Sequence, residues 1–326
     1  MLNPRLNMLP EFAFARLARL LNSVRPAVVG PDLSIGDPKG DAPDWLAARI
    51  AEDAGAFRGY PPPAGTPELR GAIARWAQRR YGFLPDLDAI PEATLARTRL
   101  FYLCAPSNPQ GRAASAAYWR RALELARAFD FVLVADECYS EIYHGAPPTG
   151  ALEAAAATDG RFRNLVVFNS LSKRSNAAGL RVGFMAGDAD VLARVLKVRR
   201  YGGATIPRPL QHAAVGLFDD EDHVAAIRRG YTERVDAALA RLDGRFGAFR
   251  PDGGFFLWLD VGDGERAART LYARAGVKTL PGRYLALADD TGRTPGDRYL
   301  RLALVHDLAA TLTAVDALVT QLEPAA

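Results

Sequence analysis

Four short apolar runs alternate with helix-like segments from about residue 98 onward. The runs are "RLFYLCAP", "FVLVADECY", "NLVVFNSLS" and "LRVGFMAG", and "SAAYWRRALELARAFD", which follows the first run, has the spacing of an amphipathic helix. Continuous apolar strands separated by helices are typical of a mostly parallel sheet that is covered on both faces. The sequence therefore predicts an α/β fold built on such a sheet.

The C-terminal part of the chain has a different pattern. Residues near 207 to 243 have the spacing of long helices that end at Gly244, and "GGFFLWLDV" and "RYLRLALV" predict strands among further helices. This pattern indicates a smaller α+β domain. We predict a large domain at residues 41–225 and a small domain at residues 226–326, with the N-terminal segment 1–40 packed against the small domain.

Composition and charge narrow the class of protein. The net charge is only +4, and Lys and Arg are interspersed with Asp and Glu, which does not favour a nucleic-acid partner. No apolar run has the length of a membrane span or the form of a signal peptide. Cys104 and Cys138 lie in separate apolar runs, and the four histidines lack the spacing of metal ligands. We expect a soluble cytoplasmic protein without a metal or a disulfide.

A polar cluster follows directly after each of three predicted strands. The clusters are "SNPQG", "DECYS" and "SLSKRS". In a parallel sheet, ligands bind at the carboxyl ends of the strands. We therefore expect the three clusters to line one crevice.

Lys173 is the residue of these clusters that indicates a particular chemistry. It follows the apolar run "NLVVFNS", and an amine in a partly dry crevice beside other cations has a lowered pKa and reacts with aldehydes. The aldehyde cofactor that uses a protein lysine is pyridoxal phosphate. Taken alone, Lys173 would be assigned to a surface loop; the order of the other polar residues favours the cofactor.

The other polar residues supply what this cofactor requires. Asp136 offers a carboxylate to the pyridine nitrogen, and Asn108 and Tyr139 offer hydrogen bonds to the ring oxygen. Lys173 is then placed to carry a proton from the substrate's Cα to the cofactor's C4′ carbon. The predicted phosphate ligands are Ser170, Ser172 and Arg181.

These ordered motifs resemble the class I and II aminotransferases of fold type I. The segments "SLSKRSNAAGLRVGFMAGD" and "ADECYSEIY" are similar to the proteobacterial succinyldiaminopimelate aminotransferases of lysine biosynthesis. The resemblance implies that Lys173 is the Schiff-base lysine and that Asp136 pairs with the pyridine nitrogen. It also implies that Asn108 and Tyr139 bind the ring oxygen, with Asn108 next to the substrate as well. Lys173, Asp136 and Tyr139 are thus the predicted catalytic residues.

The same resemblance assigns roles outside the central clusters. Ser170 and Arg181 match phosphate ligands, and Arg301 of "YLRLALV" matches the residue that binds the substrate's α-carboxylate with two parallel hydrogen bonds. Gly36 of "SIGDPK" matches a glycine near the substrate. Tyr60 of "GYPPPAGTPELR" matches a tyrosine that reaches the phosphate of the neighbouring subunit, which implies a homodimer; a purely local loop role for Tyr60 is weighed equally.

The chain departs from the family pattern in one large block. The segment "RRYG" runs directly into "FLPDLDAIPEATLARTRLFYLCAP", which predicts an internal deletion with its joint near 82–86. The family's phosphate-binding helix start and its ring-stacking aromatic would both fall inside the missing block. We therefore expect a shortened sheet of four central strands with bare edges, and weaker cofactor binding.

The predicted function is transfer of an amino group between glutamate and a keto acid, most specifically N-succinyl-2-amino-6-ketopimelate. Two alternatives stay open at this stage. One is an inactive or cofactor-poor remnant of the family, kept as a binding partner or produced by the deletion. The other is a different reaction of fold-type I enzymes, such as β-elimination, because the lysine chemistry is shared.

Overall fold

The computed structural model describes residues 11–58, 62, 65–69, 72, 92–202 and 205–322. These residues form two compact units. The four-stranded unit comprises described residues from Pro38 to Thr232 together with Pro251–Gly254. The three-stranded unit comprises the described chain up to Asp37, Glu233–Arg250 and the chain from Phe255 onward. Tyr60 and the predicted joint near 82–86 lie outside the described residues.

The four-stranded unit contains the sheet that the sequence predicts. Strands β1 to β3 are parallel neighbours in chain order, and β4 pairs antiparallel with β3. The predicted α/β class with a mostly parallel sheet is therefore confirmed. The strand bounds are β1 Leu100–Cys104, β2 Val132–Asp136, β3 Leu165–Ser170 and β4 Gly183–Gly187.

Helices surround this sheet in the described part of the unit. They are α2 Trp45–Glu52, α3 Glu92–Leu95, α4 Ala116–Ala128, α5 Ala151–Thr158, α6 Leu171–Arg174, α7 Ala189–Gly202, α8 Arg208–Asp219 and α9 Asp222–Leu242. The last of these continues into the residues of the other unit. Ser115 caps α4 because its side chain accepts a hydrogen bond from the Tyr118 N–H at 3.1 Å.

One face of the sheet is buried under α4 and α5. Leu133, Ala135 and Val167 from the two central strands are fully inaccessible to solvent, and Trp119 of α4 is equally buried. Burying apolar surface of this kind is the main favourable term in folding. The continuous apolar runs seen in the sequence are thus explained by burial on the central strands.

The outer strand β1 is much less covered. Leu100 and Tyr102 are 55% and 67% exposed, whereas Val134 and Val166, in the same sheet, are buried. Among the described residues, β1 and β4 are the two edge strands of this sheet. Apolar side chains on an edge strand favour pairing with other chains.

The three-stranded unit is an α+β structure with its own core. Its sheet is antiparallel, in the order β5-β7-β6. Asp263 and Asp307 cap α10 and α11 by accepting backbone hydrogen bonds at 3.0 and 2.8 Å. The elements are α1 Ala13–Leu21, β5 Phe256–Asp260, α10 Gly264–Ala275, β6 Leu280–Pro281, β7 Tyr299–Ala303 and α11 Leu308–Gln321.

None of the helices in the described part of the chain combines the length and the apolarity that a bilayer crossing requires.

Candidate active site

Asp136 ends β2 at the carboxyl edge of the parallel strands. Its register partner on β1 is Cys104, the last residue of that strand. The Cys138 N–H donates to Asp136 Oδ1 at 3.1 Å, and the Ala105 N–H donates to the Asp136 carbonyl oxygen at 2.9 Å. The strand end and the turn after it therefore hold this half-buried carboxylate in place.

Tyr139 and Asn108 meet above the same strand ends. Asn108 Nδ2 donates to the Tyr139 hydroxyl at 3.4 Å, and Tyr139 is 8% exposed. Asn108 lies in a turn that is closed by a hydrogen bond from the Gly111 N–H to the Ser107 carbonyl oxygen at 2.7 Å. The structure thus brings together two residues that are 31 positions apart in the sequence.

The third polar cluster follows β3. Ser170 ends the strand and caps the single-turn helix α6, since its Oγ accepts a hydrogen bond from the Ser172 N–H at 3.1 Å. The same Oγ donates to Ser172 Oγ at 2.9 Å. Lys173 is the third residue of this helix and is half-buried.

Burial and the charges of the cluster shift the pKa values of two cysteine thiols. Burial, followed by the negative charge of Asp136, raises the pKa of Cys104 to about 12. Burial and the Asp136 charge also raise the pKa of Cys138, while the positive charge of Lys173 lowers it. In the sheet, Asp136 ends the strand that pairs with β3, and β3 leads into the Lys173 turn. Both thiols stay neutral near pH 7.

Arg181 lies at the approach to β4. Its backbone is left-handed, with φ at 56°, and its Nη1 donates to the Ala178 carbonyl oxygen at 3.0 Å. Two residues later, a Cβ on Gly183 would lie 2.5 Å from the Asn169 carbonyl oxygen, so only glycine fits there. The exposed Arg181 side chain follows the tight approach of β4 to the strand that carries Ser170.

Arg301 lies on β7 of the three-stranded unit. Arg301 is 4% exposed, and its Nη2 donates to the Ser34 carbonyl oxygen at 2.7 Å. Its Cζ lies 4.5 Å from the centroid of the Phe256 ring. A Cβ on Gly36 would lie 2.7 Å from Phe256 Cζ. Gly36 and Arg301, which the sequence analysis assigned to substrate binding, therefore contact the same aromatic ring.

Replacement of Gly36 by alanine is expected to disturb this arginine site. The new Cβ displaces the Phe256 ring, which supports the Arg301 guanidinium. Hydrogen bonds to charged groups contribute about 1.5–3 kcal/mol, so Gly36→Ala should weaken dicarboxylate binding by about tenfold or more. Titration calorimetry with a dicarboxylate measures this loss. Gly55→Ala is the control, because a Cβ at Gly55 meets no atom within 4 Å; equal affinity of the two variants would contradict the assignment.

The predicted polar residues of the four-stranded unit lie at strand ends or shortly after them: Asp136 and Ser170 end their strands, and Asn108, Tyr139, Ser172 and Lys173 follow strands. His144 is buried, and its Nε2 lies 2.7 Å from the Gly254 carbonyl oxygen, so it has a packing role. The described residues contain no cluster of side chains suited to a metal.

The sequence did not reveal that the Phe256 ring packs against the Arg301 guanidinium. The run "GGFFLWLDV" was assigned to a strand, and nothing in it distinguishes Phe256 from its apolar neighbours. The only signal was the glycine in "SIGDPK", which indicates close approach of another group without identifying it.

Comparison with known proteins gives a consistent match. The sequence model for aminotransferase class I and II matches residues 80–318. A 4-dedimethylamino-4-oxo-anhydrotetracycline transaminase of Streptomyces rimosus is 32% identical over 352 aligned residues, covering 90% of this chain and 95% of that enzyme. An LL-diaminopimelate aminotransferase of Nitratidesulfovibrio vulgaris is 27% identical over 380 aligned residues, covering 93% and 94%. The crystal structure of an aminotransferase from Neisseria meningitidis superposes with a TM-score of 0.93 at 32% identity, covering 99% of this chain and all of that chain.

Proposed function

Because the chain belongs to the class I and II aminotransferase family, we propose that it transfers an amino group between glutamate and a keto acid related to N-succinyl-2-amino-6-ketopimelate. The family makes it a pyridoxal-phosphate-dependent transaminase of the fold-type I class. The observation that carries the proposal is that β2 ends at Asp136 and that the neighbouring strand β3 leads directly into the turn that carries Lys173.

The polar groups in the four-stranded unit fit pyridoxal phosphate. Lys173 provides an amine for the aldehyde, and Asp136 provides a carboxylate that stabilises a protonated pyridine nitrogen. The Tyr139 hydroxyl and the Asn108 amide, 3.4 Å apart, provide polar groups for the ring oxygen. The phosphate is assigned to the two serine hydroxyls, 2.9 Å apart, and to the guanidinium that follows them, namely Ser170, Ser172 and Arg181.

Each residue then has a defined task. Pyridoxal phosphate supplies an aldehyde that reacts with amines and a ring that accepts electrons from the substrate's Cα. Lys173 Nζ would accept the Cα proton and deliver it again as general acid. The Asp136 carboxylate would hold the ring nitrogen in its protonated form. The Tyr139 hydroxyl would donate to the ring oxygen.

Arg301 is assigned to the substrate's α-carboxylate. A guanidinium presents a planar pair of N–H donors that matches a carboxylate, which a lysine cannot reproduce. The Phe256 ring below it and the Ser34 carbonyl beside it fix the plane of the guanidinium. A fixed donor pair loses little freedom when the substrate binds.

The choice of acceptor rests on similarity. The motif wording resembles succinyldiaminopimelate aminotransferases, and the Nitratidesulfovibrio vulgaris relative is named for LL-diaminopimelate. The Streptomyces rimosus relative acts on a tetracycline intermediate by its name. Family membership alone therefore leaves the acceptor undetermined, and the proposal names long-chain amino-dicarboxylates as the class to test first.

The proposed internal deletion has two supports. Both alignments are longer than the 326 residues of this chain, although each covers no more than 93% of it, which supports the proposal of a missing block. Among the described residues β1 is an edge strand that exposes Leu100 and Tyr102, which agrees with a loss of neighbouring strands. The deletion favours weak cofactor binding, and a cofactor-poor remnant is the second candidate function. The homodimer with Tyr60 at the partner's phosphate, and the cytoplasmic location, stay predictions of the sequence.

Half-reactions test the proposed function. Protein saturated with pyridoxal phosphate should lose its Lys173-linked absorption on addition of glutamate and recover it with the correct keto acid. An N-succinylated or free diaminopimelate should react faster than alanine or tryptophan. Release of pyruvate and a thiol or chloride from a β-substituted alanine would favour elimination instead. No spectral change at saturating cofactor would favour the remnant.

A further inference from the structure

The three residues that follow Lys173 are all bound to the part of the chain that contains α8, α9 and the residues between them. We call residues 217–223, where α8 ends and α9 begins, the α8–α9 corner. Arg174 and Ser175 have 1% and 0% of their surface exposed. Such complete burial is rare for an arginine unless its charge is paired, so the partners of the Arg174 guanidinium are important.

Arg174 is bound to the C-terminal end of α8. Its guanidinium donates to the Leu217 carbonyl oxygen, to the Phe218 carbonyl oxygen at 3.5 Å and to Glu221 Oε1 at 2.8 Å. The last carbonyls of a helix lack partners within the helix and carry partial negative charge. A cation placed there is stabilised, so Arg174 ties the Lys173 turn to α8.

Ser175 is bound through a histidine to the same corner. Ser175 Oγ lies 2.9 Å from His223 Nε2, and His223 Nδ1 lies 2.9 Å from Asp220 Oδ2. A carboxylate can only accept, so His223 Nδ1–H donates to Asp220. In the neutral ring, Nε2 then carries no proton and accepts a hydrogen bond from the Ser175 hydroxyl.

Asn176 is bound about two turns further along α9, at Tyr231. Its backbone has φ at 48°, which asparagine tolerates better than most residues. The Tyr231 hydroxyl donates to Asn176 Oδ1 at 3.5 Å, and Tyr231 is 1% exposed. Three consecutive residues after Lys173 therefore make contacts with α8, α9 or the residues between them.

The order serine, histidine, aspartate also occurs in hydrolytic triads. A nucleophilic serine must be reachable by its substrate. Ser175 has no exposed surface, and its backbone N–H donates to the Leu171 carbonyl oxygen at 3.0 Å. The arrangement is thus a buried hydrogen-bond chain that acts on the neighbouring turn.

We propose that Arg174 and the hydrogen-bond chain Asp220–His223–Ser175 are positioning residues for Lys173, which hold its amine where it bonds to the cofactor aldehyde. The inference rests on the role of Lys173 in the proposed function. A misplacement of about 1 Å costs about 100-fold in rate, and α6 is only four residues long. A single turn has little stability of its own, so its geometry depends on these contacts.

His223 makes the positioning sensitive to pH. Burial lowers the pKa of His223 below its ordinary value of 6.5, and the charge of Arg174 lowers it further, although Asp220 and Glu141 oppose this. Hydrogen bonds from His223 and the Asp222 N–H lower the pKa of Asp220 despite its partial burial. Below the histidine titration, Nε2 carries a proton and can only donate to Ser175 Oγ, so the direction of this hydrogen bond reverses. The chain therefore has its neutral-pH arrangement above the titration and a reversed arrangement in acid.

The same shift predicts a pH dependence of stability. A histidine whose folded pKa is lowered binds fewer protons in the folded state than in the unfolded state. Its contribution to stability is then complete above pH 6.5 and is lost as the pH falls through the folded pKa. The melting temperature of wild-type protein should fall between pH 7 and pH 5 by more than that of His223→Gln. Parallel curves would contradict a neutral, buried His223.

The test of positioning uses three variants of the full-length protein. His223→Leu removes both hydrogen bonds, His223→Gln keeps a non-titrating acceptor for Ser175, and His212→Gln is the matched control. His212 is a half-buried histidine on α8 that pairs with Asp53 at 2.6 Å, so this control changes a different imidazole–carboxylate pair. The readout is the rate at which pyridoxal phosphate becomes fixed on Lys173 by borohydride, measured by peptide mass spectrometry, with melting temperature as the check on folding.

We expect His223→Leu to lower this rate by about tenfold or more, and His223→Gln to restore most of it. The wild-type rate should show a step below pH 6.5 that His223→Gln lacks. If His223→Leu does not fold, Ser175→Ala gives the same test with a smaller change. Wild-type rates in folded His223→Leu or Ser175→Ala would overturn the inference. Failure of the wild-type protein itself to form the bond would overturn the proposed function instead.

Discussion

Replacement of Lys173 by alanine is expected to lower the rate of amino-group transfer by a factor of at least about 10²–10⁴, the usual contribution of a positioned general acid–base group. The side chain removed is both the nucleophile toward the aldehyde and the carrier of the Cα proton. The neighbouring thiol of Cys138 does not replace it chemically, because this thiol stays protonated. The loss should therefore appear in kcat as well as in kcat/KM.

Single-turnover absorbance with glutamate measures this loss. Lys197→Ala is the matched control, because Lys197 lies exposed on α7. Circular dichroism and the melting temperature establish that both variants are folded. Addition of a primary amine such as methylamine should recover part of the activity of Lys173→Ala, since a free amine can take the proton. Undiminished turnover in Lys173→Ala would remove this lysine from the mechanism.

Replacement of Asp136 by asparagine should be the second most damaging change. The carboxylate ends β2 and is held by the N–H of Cys138 at 3.1 Å, and an amide there keeps the shape but loses the charge. The ion pair that this variant breaks is the one between Asp136 and the protonated ring nitrogen of the bound cofactor. Breaking a buried ion pair costs about 3–5 kcal/mol. Asp136 is half-buried, so the lower end applies, and the rate of Cα proton removal should fall by about 100-fold at about 1.4 kcal/mol per factor of ten.

The control for this variant lies at the other end of the same strand. Asp130 precedes β2 and is exposed, and asparagine tolerates its positive φ of 53°. Asp130→Asn should keep the wild-type half-reaction rate and cofactor affinity. Asp136→Asn should in addition lower the pKa of the Cys104 thiol, because the Asp136 charge contributes to raising it. A normal half-reaction rate in Asp136→Asn would show that the ring nitrogen is stabilised by another group.

The central strands and the polar residues after them could be predicted from the sequence. Leu133, Ala135 and Val167 are fully buried in the two central strands, so the sequence shows continuous apolar runs instead of alternation. Parallel strands place their carboxyl ends together, and this rule puts Asp136 and the Lys173 turn at the ends of neighbouring strands.

The direction of β4 was less visible in the sequence. Parallel neighbours require a crossover of about a dozen residues or more, usually with a helix. The connection between Ser170 and Gly183 contains only the short helix α6 and a 3-10 turn, Ala178–Leu180. The chain therefore returns antiparallel to β3, and the run "LRVGFMAG" alone does not reveal its direction.

The buried polar contacts behind Lys173 could not be predicted. Arg174 reads as a surface residue because charged residues are mostly exposed, and its partners at Leu217 and Glu221 are more than forty residues away in the sequence. Phe256 under Arg301 is equally hidden, since an aromatic residue in an apolar strand carries no mark of its neighbours. Contacts of this kind depend on tertiary packing, which local patterns do not encode.

The central claim is that Lys173, held beside Asp136, is the amine that bonds to pyridoxal phosphate. The sequence contains four lysines, at positions 39, 173, 197 and 278, so the bonded residue can be identified without ambiguity. Purified protein is saturated with pyridoxal phosphate, reduced with borohydride, digested and mapped by mass spectrometry. The account predicts a single phosphopyridoxyl group on Lys173; a protein left unmodified at saturating cofactor, or modified mainly at one of the other three lysines, would contradict it.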